Sequence, residues 1–210
     1  MTEKQLRAQM VAIARSLFAR GYSFGTSGNL SVRCGDGVLI TPTGSSFETV
    51  GAADIAKVTM DGLVSGPATP SKEAPFHLAV YRACPDSGAV VHLHSTYAVA
   101  VSCLKGLDKR NALPALTPYY AMRIGTLPVV PYRPPGDPRL GPEVERYART
   151  ARAILLENHG PITVDRDLPA AAALAEELEE QAKLYFLLGR RGRRLTLREI
   201  AELQKRFGVR

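Results

Sequence analysis

The chain has 210 residues, enough for one substantial core and short for two domains. Its formal charge is +7, but residues 189–210 hold eight Arg or Lys and two Glu, a net of +6, so the remainder is electrically balanced and the charge argues against a nucleic-acid binder. No apolar run approaches the ~20 residues that span a bilayer, and three cysteines, Cys34, Cys84 and Cys103, are odd in number and lack CxxC spacing, which disfavours a disulfide framework and makes a reducing cytoplasm the expected compartment.

Apolar residues at Leu6, Met10, Ile13, Leu17 and Phe18, among charges of both signs, predict a helix over 3–20 rather than a signal peptide or anchor. Segments 30–33 and 38–41 read as a hairpin around Gly35-Asp36-Gly37, and 56–60 with 63–65 as a second around Asp61-Gly62, so part of the sheet should be antiparallel. A helix over 71–83, with Ser71 as its N-cap, leads into a strand over 89–94 and a further helix over 96–104, where Cys103 is expected in the core. The proline-rich stretch 111–138 reads as irregular. A helix near 142–150, strands near 153–157 and 161–164, and an Ala-, Leu- and Glu-rich helix over 168–188 complete the pattern. Without a linker, repeat or low-complexity break, this order predicts one α/β domain over 1–210, helices on both faces of its sheet, with the basic tail from about 189 as a solvated face or subunit contact.

Three of the four histidines fall where a metal could gather them. His92 and His94 alternate in AVVHLHS, and in a strand such residues share a face about 6.6 Å apart. His159 follows the apolar run AILLEN and precedes Gly160-Pro161, a turn from which a third ligand can reach inward. Each alone fits a core histidine; the set, with Glu73 as a fourth candidate, favours a divalent ion. Three imidazoles and a carboxylate admit Zn²⁺, Mn²⁺ or Co²⁺. Glu73 alone reads as a first-turn acid, but beside an ion and shielded from water it could ligate or carry a proton. His77, one turn past Glu73, reads as a residue behind the site.

The runs GTSGNLSVR (25–33), ITPTGSS (40–46), SKEAPFHLAVY (71–81), VVHLHST (90–96) and ENHGP (157–161) resemble, in order and spacing, the successive motifs of the class II aldolase/adducin family, over roughly residues 5–190. The resemblance implies a three-layer αβα sandwich with a mixed, largely antiparallel central sheet. It implies one Zn²⁺ per subunit on Glu73, His92, His94 and His159, with Glu73 also moving the proton. It places a phosphate pocket on Gly28, Asn29, Thr43, Gly44, Ser71 and Lys72, and a catalytic tyrosine near Tyr119 or Tyr120 that reaches a neighbouring subunit's site in a homotetramer. Within the family, SKEA, HLHSTYAVAVSCL and LTPYYAMRIG resemble the 3-oxo-tetronate 4-phosphate decarboxylases more than the fuculose-phosphate aldolases. Position 72 carries Lys where the aldolases have serine, and the tail lacks the tyrosine they use there, so a carboxy-lyase yielding dihydroxyacetone phosphate and CO₂ through a metal-stabilised enediolate is the expected activity. An aldolase, epimerase or dehydratase of the same family is the alternative. A metal-free interaction module like adducin would have eroded histidines, and these are intact.

Overall fold

The computed structural model describes residues 1–207. Eight strands, β1 (Asn29–Cys34), β2 (Gly37–Ile40), β3 (Ala56–Thr59), β4 (Val64–Ser65), β5 (Ala89–His92), β6 (Val129–Val130), β7 (Ala153–Leu156) and β8 (Gly160–Asp165), form one sheet in the order β4-β3-β2-β1-β5-β8-β7-β6. Neighbours pair antiparallel throughout, apart from the parallel pair β6 and β7. Among the described residues seven α-helices accompany it: α1 (Glu3–Ala19), α2 (Ala74–Ala83), α3 (Thr96–Ser102), α4 (Pro118–Arg123), α5 (Leu140–Ala148), α6 (Leu168–Leu188) and α7 (Leu197–Phe207).

Side chains alternate across the sheet with the pleat, and each parity buries against its own helical layer. Val38, Ile40, Val90 and Ile154 pack with the apolar residues of α2 and α5. Leu30, Leu39 and Val91 meet α1 and the start of α6, while Ala153 and Leu155 meet α3, α4 and the middle of α6. The result is the expected αβα sandwich with a mixed, mostly antiparallel sheet. Both predicted hairpins form, at β1–β2 and β3–β4. Thr2 and Gln5 close a capping box at the first helix, where the first-turn N–H groups would otherwise lack partners.

Five local expectations change. Helix α2 starts at Ala74, because the Ser71 hydroxyl accepts the Glu73 N–H at 3.2 Å and its carbonyl accepts that of Ala74 at 2.9 Å, closing a turn ahead of the helix rather than capping it. Strand β5 ends at His92, so His94 stands in the loop that bends into α3 rather than in the strand. The proline-rich stretch contains α4, whose Thr117 side chain accepts the Tyr120 N–H with proline in the first turn, and the short β6. Cys103 is exposed because α3 ends one residue before it; the three cysteines are free. The basic tail also contains α7, whose Ile200 and Leu203 lie against the α4 side of the core. Among the described residues no helix is long and apolar enough to cross a membrane.

Candidate metal centre and active site

Strand register assembles the site. Asn29, the first residue of β1, pairs with His92, the last of β5, and His92 pairs with Ile162 of β8, next to the β7–β8 turn. One end of the sheet therefore carries the approach to β1, the exit of β5 and the turn holding His159. The loop after β2 leaves at the same end, since Thr41 donates its N–H to Leu30 at 3.0 Å and accepts that of Leu30 on Oγ1 at 3.1 Å. Ser71 donates its N–H to the Thr41 carbonyl at 3.1 Å, which delivers Ser71, Lys72 and Glu73 to this end.

Close backbone approach fixes two glycines here. A Cβ at Gly28, whose φ is +83°, would stand 2.8 Å from the His92 carbonyl, and one at Gly160 would stand 2.5 Å from that of Leu93. Asn158, at φ 54°, turns the chain so that His159 follows in the β7–β8 turn, and its N–H is held by the Ser102 carbonyl at 3.0 Å.

The structure brings Glu73, His92, His94 and His159 together. The ligand atoms of the three histidines lie within 4.8 Å of one another, and His92 Nε2 is 3.0 Å from His94 Nε2. Nitrogens each about 2.0–2.1 Å from a shared ion would sit roughly this far apart. Their ring planes cross at 74–83°, so the nitrogens converge while the rings splay. Glu73 Oε2 is 3.4 Å from His92 Nε2, and Oε1 is 3.4 Å from His159 Nε2. His92 Nδ1 donates to the Pro161 carbonyl at 2.9 Å, which leaves the Nε2 lone pair facing the cluster.

Electrostatics keep these imidazoles neutral. Burial, then the neighbouring His159 and His94, hold His92 well below its ordinary value. Burial, His159 and the Lys72 charge lower His94 to about 4, against an opposing pull from Glu73. Burial and Lys72 lower His159 too, again opposed by Glu73. Glu73 is buried, and its Oε1 has no hydrogen-bond partner among the described residues. Three neutral imidazoles and an orphaned buried carboxylate oxygen form a donor set that fits a divalent cation.

The segments predicted for phosphate leave the sheet at the end that carries this cluster. Gly28 and Asn29 open β1; Thr43 and Gly44 follow β2, with Gly44 at φ +67°; Ser71 and Lys72 precede Glu73. Tyr119 and Tyr120 do not join it within the chain. Tyr119 is 60% exposed with the Arg123 guanidinium 5.7 Å over its ring, and Tyr120 is buried in the core. Glu179 of α6 was not anticipated: its two oxygens accept the Tyr97 and Ala98 N–H groups at 2.8 Å each, capping α3 from another helix just after His94. Its signal is phase, since it falls on the buried face with Ala175, Leu178 and Ala182.

The chain belongs to a known family: residues 8–186 match the family model of the Class II Aldolase and Adducin N-terminal domain. A 3-oxo-tetronate 4-phosphate decarboxylase of Pectobacterium atrosepticum is 50% identical over 204 residues, 96% of this chain and 94% of that one. The L-fuculose phosphate aldolase of Escherichia coli is 35% identical over 187 residues, 89% of this chain and 85% of that one. Among solved structures, YgbL of Klebsiella pneumoniae, described as an aldolase, epimerase or decarboxylase, superposes with a TM-score of 0.94 at 47% identity, covering 97% of this chain and 99% of its own.

Proposed function

We propose that this protein is a divalent-metal-dependent carboxy-lyase that converts a 3-oxo-tetronate 4-phosphate into dihydroxyacetone phosphate and CO₂, working as a cytoplasmic homotetramer. The observation that carries the reading is the bare, buried Oε1 of Glu73 beside three neutral imidazoles. Decarboxylase relatives near 50% identity support the substrate class. His92, His94 and His159, with Glu73 in the free enzyme, would hold the ion, which supplies Lewis-acid stabilisation for negative charge developing on the substrate's oxygens.

The chain's own residues do the rest. Backbone N–H groups and hydroxyls at Gly28, Asn29, Thr43, Gly44 and Ser71 hold the phosphate and anchor the substrate at the open end of the sheet. Lys72 lies close enough to depress His94 and His159, so its charge also reaches a substrate carboxylate there. That charge, where the aldolases have a neutral serine, favours the acid substrate over an aldol. As the bond between carboxylate and hydroxyl carbon breaks, its electron pair enters the enediolate of the adjacent ketone, and CO₂ leaves. Glu73, displaced from the ion when substrate binds, takes a proton from solvent and gives it to that carbon through Oε1, which returns Glu73 to the carboxylate that would hold the ion in the free enzyme. Tyr119, exposed on its own chain, serves the site of a neighbouring subunit.

Product made in D₂O tests the assignment. One deuteron in a single prochiral position of the hydroxymethyl carbon is expected from a fixed donor. A racemic label, or full turnover in a Glu73→Gln variant that retains metal, contradicts it.

A further inference from the structure

A histidine outside the predicted ligand set is connected to Glu73 by hydrogen bonds whose directions are forced. Glu73, His77 and Tyr81 are spaced by four along α2 and its approach, and Asn29 and Ser31 by two along β1. The helical and strand periods therefore bring the two rows face to face. Asn29 Nδ2 lies 2.8 Å from Glu73 Oε2, where a carboxylate can only accept. The amide oxygen then points the other way, 2.5 Å from His77 Nε2, which must carry the ring proton. His77 Nδ1 is left bare and accepts the Ser31 hydroxyl at 2.7 Å; Ser31, its one proton spent, accepts the Tyr81 hydroxyl at 2.9 Å. All of these bonds run towards Glu73.

The supports are rigid. Burial, together with the nearby His92, holds His77 at about 3, so the ring is neutral and has one donor and one acceptor. Phe76 stacks on it at 4.6 Å between centroids, and the Arg33 guanidinium sits 5.0 Å over the Tyr81 ring.

We propose that His77 is a positioning residue that locks the Asn29 amide in one orientation and thereby makes the two Glu73 oxygens inequivalent, Oε2 bonded and Oε1 bare. Without the Nε2 proton the amide is free to invert, which would set its oxygen against a carboxylate oxygen. Glu73 would then swing away, and Oε1 would lose its fixed aim beside His159. The consequence for metal rests on the proposed centre; the tautomer does not.

Two measurements on the full chain test this. In metal-free protein with ¹⁵N-labelled histidine, two-bond ¹H–¹⁵N correlations should show His77 protonated at Nε2 alone, whereas the Nδ1–H tautomer would overturn the chain of bonds. Zn²⁺ affinity, read by competition with a chromophoric chelator, should fall about tenfold in both Ser31→Ala and His77→Leu, and no further in the double variant. His77→Gln, whose amide can still donate to Asn29, should stay within about threefold of the parent. Additive losses, equal losses in the Gln and Leu variants, or full affinity in His77→Leu would contradict the proposal. A parent protein that bound no zinc would instead overturn the metal reading, and the tautomer would then decide this one.

Discussion

Glu73 is the acid of the cluster, and its two oxygens have different surroundings: Oε2 accepts from Asn29, and Oε1 faces His159 with no partner among the described residues. Glutamine fits the same space but cannot carry the proton. Glu73→Gln should therefore lose roughly 10²–10⁴ in turnover while three histidines keep the metal, to be checked by steady-state rates beside metal content. His77 adds a pH effect of definite sign. Its folded value of about 3 lies below the ordinary 6.5, so protons favour the unfolded chain. The stability this group contributes is complete above about pH 6.5 and falls as the pH drops towards 3. At pH 5 the loss is about 2 kcal/mol, or roughly 4–8 °C in melting temperature for a chain of this size. Thermal unfolding of metal-free protein at pH 6.5 and pH 5 should show at least that drop, since His92, His94 and His159 are lowered too and add to it, and His77→Gln should show less of it. At this scale the histidines and Glu73 were legible as residue types at telling spacings. The directions of the hydrogen bonds behind them were not, because they depend on β1 and α2 meeting in one register, which neither segment encodes alone.

Elements hold the site through their ends. Helix α3 has Ser95 at its N-cap without a side-chain cap bond, and the partners of its first N–H groups come from Glu179 on α6. Glu179→Ala leaves the buried Ala98 N–H and the half-buried Tyr97 N–H bare and should cost about 1–3 kcal/mol for the buried group and less for the other, whereas Gln keeps one acceptor and should cost less. Since His94 leads directly into α3, the alanine variant should also weaken metal binding; unfolding curves and chelator competition read the two effects separately. Gly160→Ala should be severe as well, because its Cβ would press on the Leu93 carbonyl at 2.5 Å and force apart the exit of β5 and the turn carrying His159. Lost metal affinity in a folded variant is the outcome to look for. The two hairpins and the long helices were readable from turn residues and apolar period. Helix α4 was hidden by a proline-rich run of which one member, Pro118, in fact occupies its first turn, and α7 by a charge run whose Ile200 and Leu203 mark a narrow apolar stripe. The start of α2 shifted because Ser71 serves a turn, a choice made by its bond to Thr41 across the sheet.

Across the whole molecule, the start of β1, the end of β5 and the β7–β8 turn meet at one end of the sheet, where His92, His94 and His159 converge. The exposed Tyr119 and Arg123 on α4 belong, in the proposed assembly, to the contact with a second copy. Light scattering should accordingly give four times the 22.7 kDa chain mass. Tyr119→Phe should then lower turnover without changing metal content. The basic tail was legible as charge but not as the helix that covers α4. The central claim is metal-dependent decarboxylation, and its most direct test is CO₂ release and dihydroxyacetone phosphate formation from D- and L-3-oxo-tetronate 4-phosphate, with and without chelator, beside a fuculose 1-phosphate control. Chelator-sensitive CO₂ release well above the spontaneous rate, from one or both enantiomers, is the predicted result; aldehyde from the control with no enzymatic CO₂ would contradict it.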